Sequence, residues 1–216
     1  MVKTKKTGSL IIISGPSGAG KGTIVKELLK DNNINLSISM TTRAKRDGEI
    51  EGKDYFFVTK EHFLEEMQYD NFLEYAIVHG TDYYGTPKDK VLECLSKGED
   101  IILEIDIQGA LKIKEKMKEG IFIFVMPPSM RELKNRLVAR GTETKEKLVQ
   151  RFKDAYKEIN VANRYNYVVI NDKLDDAVEK VKSIITAEKC RVSRIEDFDL
   201  NSEEELLHEL LTDGNE

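Results

Sequence analysis

The chain has 216 residues, 40% apolar and 34% charged, with four prolines and a formal net charge of −5. That length and balance suit one large globular domain, or one domain with a small insertion, and exclude collagen-like and proline-rich disordered classes. The longest unbroken apolar runs, Leu10–Ile13 and Ile121–Met126, fall far short of the roughly 20 residues a membrane helix needs.

At the N-terminus, Lys3, Lys5 and Lys6 precede an apolar stretch that stops after Ile13. A secretory core needs roughly 7–15 apolar residues, so no export signal is expected. Leu10–Ser14 reads as a buried strand, followed at once by a glycine-rich turn. Gly22–Lys30 then carries Ile24, Val25, Leu28 and Leu29 at helical spacing.

Between about 36 and 86 the rhythm changes. Strand-like pieces at Leu36–Met40, Tyr55–Thr59 and Leu73–Val78, turn signals at Asp47–Gly48 and Glu51–Gly52, and one short helix near 60–70 describe a small, mostly β insertion. Apolar runs at Ile101–Ile105, Ile121–Val125 and Tyr167–Ile170 follow. Helical segments near 88–97, 109–118, 129–139, 144–163 and 174–189 separate or flank them. Strands alternating with helices predict an α/β fold whose parallel sheet is covered on both faces. The expected organisation is a core of residues 1–35 and 87–190, the insertion at 36–86, and a tail at 191–216.

The charge is unevenly spread. Glu196–Glu216 contains nine acidic residues and no Lys or Arg, so the remaining body has 34 basic residues against 30 acidic ones. Within it, Arg131–Lys157 holds nine Lys/Arg against four Asp/Glu. Such a patch serves an anionic ligand or is a solvated helix face, and charge alone favours the second. In the tail, Leu206, Leu207, Leu210 and Leu211 form a stripe on an acidic helix. Cys94 and Cys190 have no partner spacing and fit a reducing cytosol, which points to a cytoplasmic protein. His62, His79 and His208 are scattered singly and suggest no metal cluster or His-centred triad.

The strongest local signal is Gly15-Pro16-Ser17-Gly18-Ala19-Gly20-Lys21-Gly22-Thr23, placed after a strand and opening a helix. Glycines let backbone N–H groups turn inward around an oxyanion, and the helix N-terminus adds partial positive charge. Lys21 supplies a point charge for the β- and γ-phosphates of a nucleotide. The usual pattern places Ser or Thr directly after the lysine to touch Mg²⁺. Here Gly22 takes that place and the hydroxyl comes one residue later, at Thr23, so water is expected to replace it at the ion.

A second constellation narrows the field. It comprises Ser39-Met40-Thr41-Thr42-Arg43-Ala44-Lys45-Arg46, Gly52-Lys53-Asp54-Tyr55-Phe56-Phe57, Phe72-Leu73-Glu74-Tyr75-Ala76 and Tyr83-Tyr84-Gly85-Thr86. Ile102-Leu103-Glu104-Ile105-Asp106-Ile107-Gln108-Gly109, Pro127-Pro128-Ser129 and Arg140-Gly141-Thr142-Glu143 complete it. With these motifs in this order, the sequence resembles the guanylate kinase family from about residue 8 to 187.

The resemblance implies a P-loop core, a GMP-binding insertion, an arginine-bearing helical lid at about 131–155, and ATP-dependent phosphorylation of GMP with Mg²⁺. It puts Arg43, Arg46, Tyr55 and Tyr84 at the GMP phosphate, and Glu74, Ser39, Thr86 and Glu104 at the base. Lys21, Arg136, Arg140 and Arg151 fall near the transferred phosphoryl group, Asp106 at magnesium through water, and Asn171, beside Asp172, at the ATP site. The implied partners are ATP and GMP, with neither nucleic acid nor membrane, and the choice between monomer and homo-oligomer stays undecided.

The residue chemistry agrees with these positions. Arginine forks and hydroxyls suit a phosphate. A carboxylate at Glu74 accepts the N1–H and N2–H₂ of guanine but would face adenine's lone pair. Arg136 and Arg140, four apart, share one helix face. Closure of the insertion and the lid over both substrates is expected, since an exposed site would waste ATP on water. Two alternatives are a guanylate-kinase-like protein-docking module, which the intact phosphate loop opposes, and a kinase for another monophosphate, which Glu74 and Glu104 oppose.

Overall fold

The computed structural model describes residues 3–4, 7–30, 33–78, 81–139, 145–197, 207 and 210–212. In chain order the strands and helices are β1 (Lys3–Thr4), β2 (Leu10–Ser14), α1 (Lys21–Leu28), β3 (Ile34–Leu36), β4 (Met40–Thr41), β5 (Phe56–Phe57), α2 (Lys60–Gln68), β6 (Phe72–Val78) and β7 (Asp82–Pro87). After them come α3 (Lys88–Ser96), β8 (Asp100–Glu104), α4 (Ile107–Lys116), β9 (Ile121–Met126), α5 (Met130–Ala139), α6 (Lys145–Ile159), β10 (Tyr167–Ile170), α7 (Leu174–Lys189) and β11 (Ile195–Asp197).

Five parallel strands in the order β10-β9-β2-β8-β3 form the central sheet. Their continuous apolar runs follow from burial on both faces. Ile11, Ile13, Ile121, Ile123 and Val125 pack with Ile24 and Leu28 of α1 and Val181 and Ile185 of α7. The alternating residues Leu10, Ile12, Phe122 and Phe124 pack with Val91 of α3 and Ile107, Ala110 and Ile113 of α4. The expected doubly covered parallel sheet is therefore present. Among the described residues no helix is long and apolar enough to cross a membrane.

The insertion builds its own four-stranded sheet, ordered β5-β4-β7-β6. Phe63 of α2 anchors it, fully buried and stacked on Phe72 with ring centroids 4.5 Å apart. Thr59 caps α2 by accepting the His62 N–H. Helices α5 and α6 share a separate small cluster of Leu133, Leu137 and Ala155.

Two expectations need correction. Leu36–Met40 is not one strand: Leu36 closes β3 at the edge of the central sheet, and Met40 opens β4 in the other. The Ser37 N–H still bonds the Ile102 carbonyl at 2.8 Å, while the Ser39 carbonyl already receives the Phe56 N–H at 2.9 Å. The chain crosses between sheets over these three residues. The long helix expected at 144–163 stops at Ile159, and a separate 3₁₀ turn covers Ala162–Arg164. The tail also begins with an unforeseen strand, β11, which pairs antiparallel with β1.

Candidate active site

The carboxyl ends of the parallel strands meet at one edge of the sheet. β2 and β9 are neighbours there, yet they are separated in the chain by β3 and β8, so the chain reverses its direction of travel across the sheet at this point. Such a switch opens a crevice where ligands bind. The glycine-rich turn leaves β2 into it. Gly15 has φ +144°, and a Cβ there would lie 2.2 Å from the Val125 carbonyl of β9. Gly20, at φ +90°, is the α1 N-cap and supplies no side chain of its own, so the first-turn N–H groups are presented to the cradle. Lys21 folds back over the loop, its ammonium donating to the carbonyls of Gly15 at 2.6 Å and Pro16 at 3.2 Å.

Neighbouring elements brace the loop. The buried Asn171 amide, just past β10, donates to the Ala19 carbonyl at 2.8 Å. That commits the side chain to the loop backbone, a clasp on the cradle. The Asn171 carbonyl in turn accepts from the Arg136 guanidinium at 3.0 Å, while Arg136 also pairs with Glu132 at 2.9 Å. From α6, Arg151 donates to the Ser17 hydroxyl at 2.5 Å. Arg140 and the Gly141-Thr142-Glu143 motif lie outside the described residues. A Cβ on Gly22 would come within 3.4 Å of a Glu104 carboxylate oxygen, which places Glu104 beside the position that usually bears the metal-binding hydroxyl.

The insertion supplies the other half. Ser39, Tyr55, Glu74, Ala76, Tyr84, Glu104, Ile105 and Asp106 line one cavity of about 180 Å³. Antiparallel pairing puts Glu74 of β6 opposite Thr86 of β7, and the Thr86 hydroxyl donates to the Glu74 carboxylate at 2.8 Å. Glu74 is 7% exposed, and burial raises its carboxyl above the ordinary range, with Asp106 adding to the rise and the Thr86 bond opposing it. Asp106 itself follows the end of β8 and caps α4, accepting the Gly109 N–H at 2.7 Å.

At the outer end, the Arg43 guanidinium donates to the Tyr84 hydroxyl at 3.0 Å and lies 5.4 Å from the Tyr55 ring centre. The Tyr55 phenol is raised chiefly by burial. Arg46 sits on the exposed turn beyond Arg43.

Two residues that the sequence did not single out belong to this arrangement. Glu49 pairs with Arg43 at 2.7 Å and accepts the Arg46 backbone N–H at 2.8 Å. The Arg43 bond holds Glu49 below the usual carboxylate range and raises Arg43 still higher. Glu158 lies on α6 seven residues, about two turns, after Arg151, so the two share a face. Its carboxyl is raised chiefly by burial, and Lys21 and the Ser17 backbone N–H pull it back. The helical spacing from Arg151 was the available signal for Glu158. For Glu49 there was none in the residue type.

Comparison with known proteins agrees with this geometry. The guanylate kinase family model matches residues 7–188. The guanylate kinase of Clostridium tetani is 63% identical over 206 residues, covering 95% of this chain and 99% of the relative. That of Clostridioides difficile is 52% identical, covering 88% and 92% respectively. Among solved structures, a guanylate kinase from Anaplasma phagocytophilum superposes with a TM-score of 0.74 at 35% identity, covering 97% of this chain and 96% of that one. A family model that matches most of the chain, and relatives this similar over nearly their whole length, show that the chain belongs to the guanylate kinase family.

Proposed function

We propose that this chain transfers the terminal phosphoryl group of ATP to GMP, giving ADP and GDP. The Glu74 carboxylate, able to accept two N–H hydrogen bonds, carries the reading. A buried carboxylate held by Thr86, in a cavity also lined by Glu104 and Asp106, repels a phosphate and suits a base edge rich in N–H donors. Guanine has that edge and adenine does not. Ser39 and Glu104 complete the base contacts, while Arg43, Arg46, Tyr55 and Tyr84 take the GMP phosphate at the cationic end.

On the ATP side, backbone groups of Gly15–Thr23 cradle the phosphates, and Asn171 serves by holding Ala19. Lys21, Arg136, Arg140 and Arg151 stabilise charge that develops as the phosphoryl group passes between the nucleotides. No side chain acts as a covalent nucleophile. Positioning two nucleotides in line supplies much of the acceleration, and closure of the 36–86 unit and the 131–155 lid excludes water. The protein works in the cytoplasm in this reading.

The residues present fit Mg²⁺ held mainly by nucleotide and water. One Asp106 oxygen is taken by the Gly109 N–H, and among the described residues no group of three or more His, Cys, Asp or Glu could enclose a metal ion. Asp106 would hold the ion through water, and the ion would neutralise charge on the phosphates. Asp106→Asn keeps a good N-cap and removes the charge, so Tm should stay within about 2 °C of wild type. Turnover at limiting Mg²⁺ should fall about tenfold or more. An unchanged Mg²⁺ dependence would remove Asp106 from this role.

The direct test is ADP production with Mg-ATP and, separately, GMP, dGMP, AMP, UMP and CMP. Turnover confined to GMP and, more weakly, dGMP is expected. Turnover led by another base would overturn the assignment of Glu74, and silence from folded protein would overturn the activity.

A further inference from the structure

Gly109 lies in the first turn of α4, where glycine is a weak choice because it lowers helix stability without helping a cap. Its backbone needs no glycine: it is helical and outside the left-handed region. What it lacks is a side chain. A Cβ at this position would stand 2.8 Å from Oε2 of Glu74, 3.0 Å from the Glu74 carboxyl carbon and 3.3 Å from Oδ1 of Asp106. Real carbon–oxygen contacts do not approach so closely, so one partner has to move.

The identity of the obstacle decides the consequence. At Gly85 a Cβ would meet the rings of Phe72 and Phe63, and at Gly15 a backbone carbonyl, so substitution there disturbs packing or main chain. At Gly109 the nearest atoms all belong to two carboxylates. Each is the end of a side chain, so a side chain and not the main chain has to move, and Asp106 is held in place as the cap of α4. Glu74, however, is held on its other oxygen by Thr86 and is otherwise buried. Moving it strains that bond or shifts the carboxylate within the cavity that it lines.

We infer that Gly109 is a positioning residue for base selectivity: its missing side chain sets where the Glu74 carboxylate stands and hence which base edge it accepts. The inference deepens the proposed function and rests on Glu74 as the base-reading group. Alanine suits the helix better than glycine, which offsets part of the cost of moving the carboxylate, so the protein should stay folded while its base site is displaced.

The test is Gly109→Ala, with thermal melting, steady-state kinetics for GMP and ATP, and equilibrium titration with GMP and with IMP, which lacks the 2-amino group. Expected are a Tm within about 5 °C of wild type and an unchanged KM for ATP. The KM for GMP should rise about tenfold with kcat changed less than about threefold, and the preference for GMP over IMP should shrink about fivefold. A Tm that falls much further, or an unaltered KM for GMP with unaltered preference, overturns the inference. Glu74→Gln measured alongside separates the two levels. If it loses base preference while Gly109→Ala keeps it, only the role of Gly109 falls; if Glu74→Gln itself keeps the preference, both fall.

Discussion

Lys21→Ala is expected to lower turnover of ATP and GMP by about a thousandfold or more while leaving the fold intact. The loop holds the ammonium in place with two carbonyl bonds, at Gly15 and Pro16, so its charge is already oriented when phosphates arrive. A preoriented charge beside a helix N-terminus requires no reorganisation during transfer, and alanine leaves only neutral N–H donors. Arg136, held by Glu132 and the Asn171 backbone carbonyl, and Arg151, held by Ser17, each act from their own place beside the loop and not from that of Lys21. Stability should hardly change. Lys21 opens α1 but its buried face is Ile24, Val25 and Leu28, and alanine is the best helix former. Steady-state ADP release, an ATP titration and a thermal melt check the three parts. Turnover within tenfold of wild type would remove Lys21 from the reaction.

The central sheet was legible because its strands are chain-local runs with a simple cause. Leu10–Ser14 and Ile121–Met126 are buried on both faces, so nearly every residue is apolar. The phosphate loop was legible for a related reason, since strand, glycines, lysine and helix follow one another within fifteen residues. The base site has no such local signature. Glu74 and Thr86 are twelve residues apart and meet only because β6 and β7 pair, so their role was reachable through resemblance to a family and not from spacing. Glu49 faces Arg43 across a turn whose residue types look like any solvated loop. The break of Leu36–Met40 between two sheets leaves no trace in hydropathy either, because both halves are strand-like. β1 and β11 are two and three residues long, too short for periodicity to register.

The contacts divide the site into two units with little overlap. Gly15 lies against β9, Asn171 past β10 clasps Ala19, and Gly22 faces Glu104 at the end of β8, so the cradle is braced by three core strands. Glu74, Thr86, Arg43 and Tyr84 instead belong to the insertion. Among the described residues that line the Glu74 cavity, Glu104, Ile105 and Asp106 come from the core. Substitutions in the insertion should therefore act on GMP with little effect on ATP.

Glu74→Gln should reduce kcat/KM for GMP by about a hundredfold or more, leave KM for ATP unchanged and narrow the margin over AMP. An ionised carboxylate accepts both guanine hydrogens, whereas glutamine offers one acceptor and turns an N–H₂ toward a donor. The same change should act on stability in the opposite direction. Burial raises the folded-state pKa of Glu74, so the folded chain holds this proton more tightly than the unfolded chain does. Stability is then lost as pH rises from the ordinary carboxylate value through the raised one, and the penalty is fully present above it. Glutamine carries no such penalty. The ligand-free Gln variant should melt at or above the wild-type temperature at neutral pH, and the gap should close as the pH is lowered through that window. GMP needs the ionised form, so wild-type KM for GMP should climb on acidification at a higher pH than an ordinary carboxylate would impose, while the variant lacks that limb. Melting curves and KM profiles from neutral to mildly acidic pH give both readouts. A variant with wild-type preference for GMP over AMP and the wild-type acid limb would falsify Glu74 as the group that reads the base.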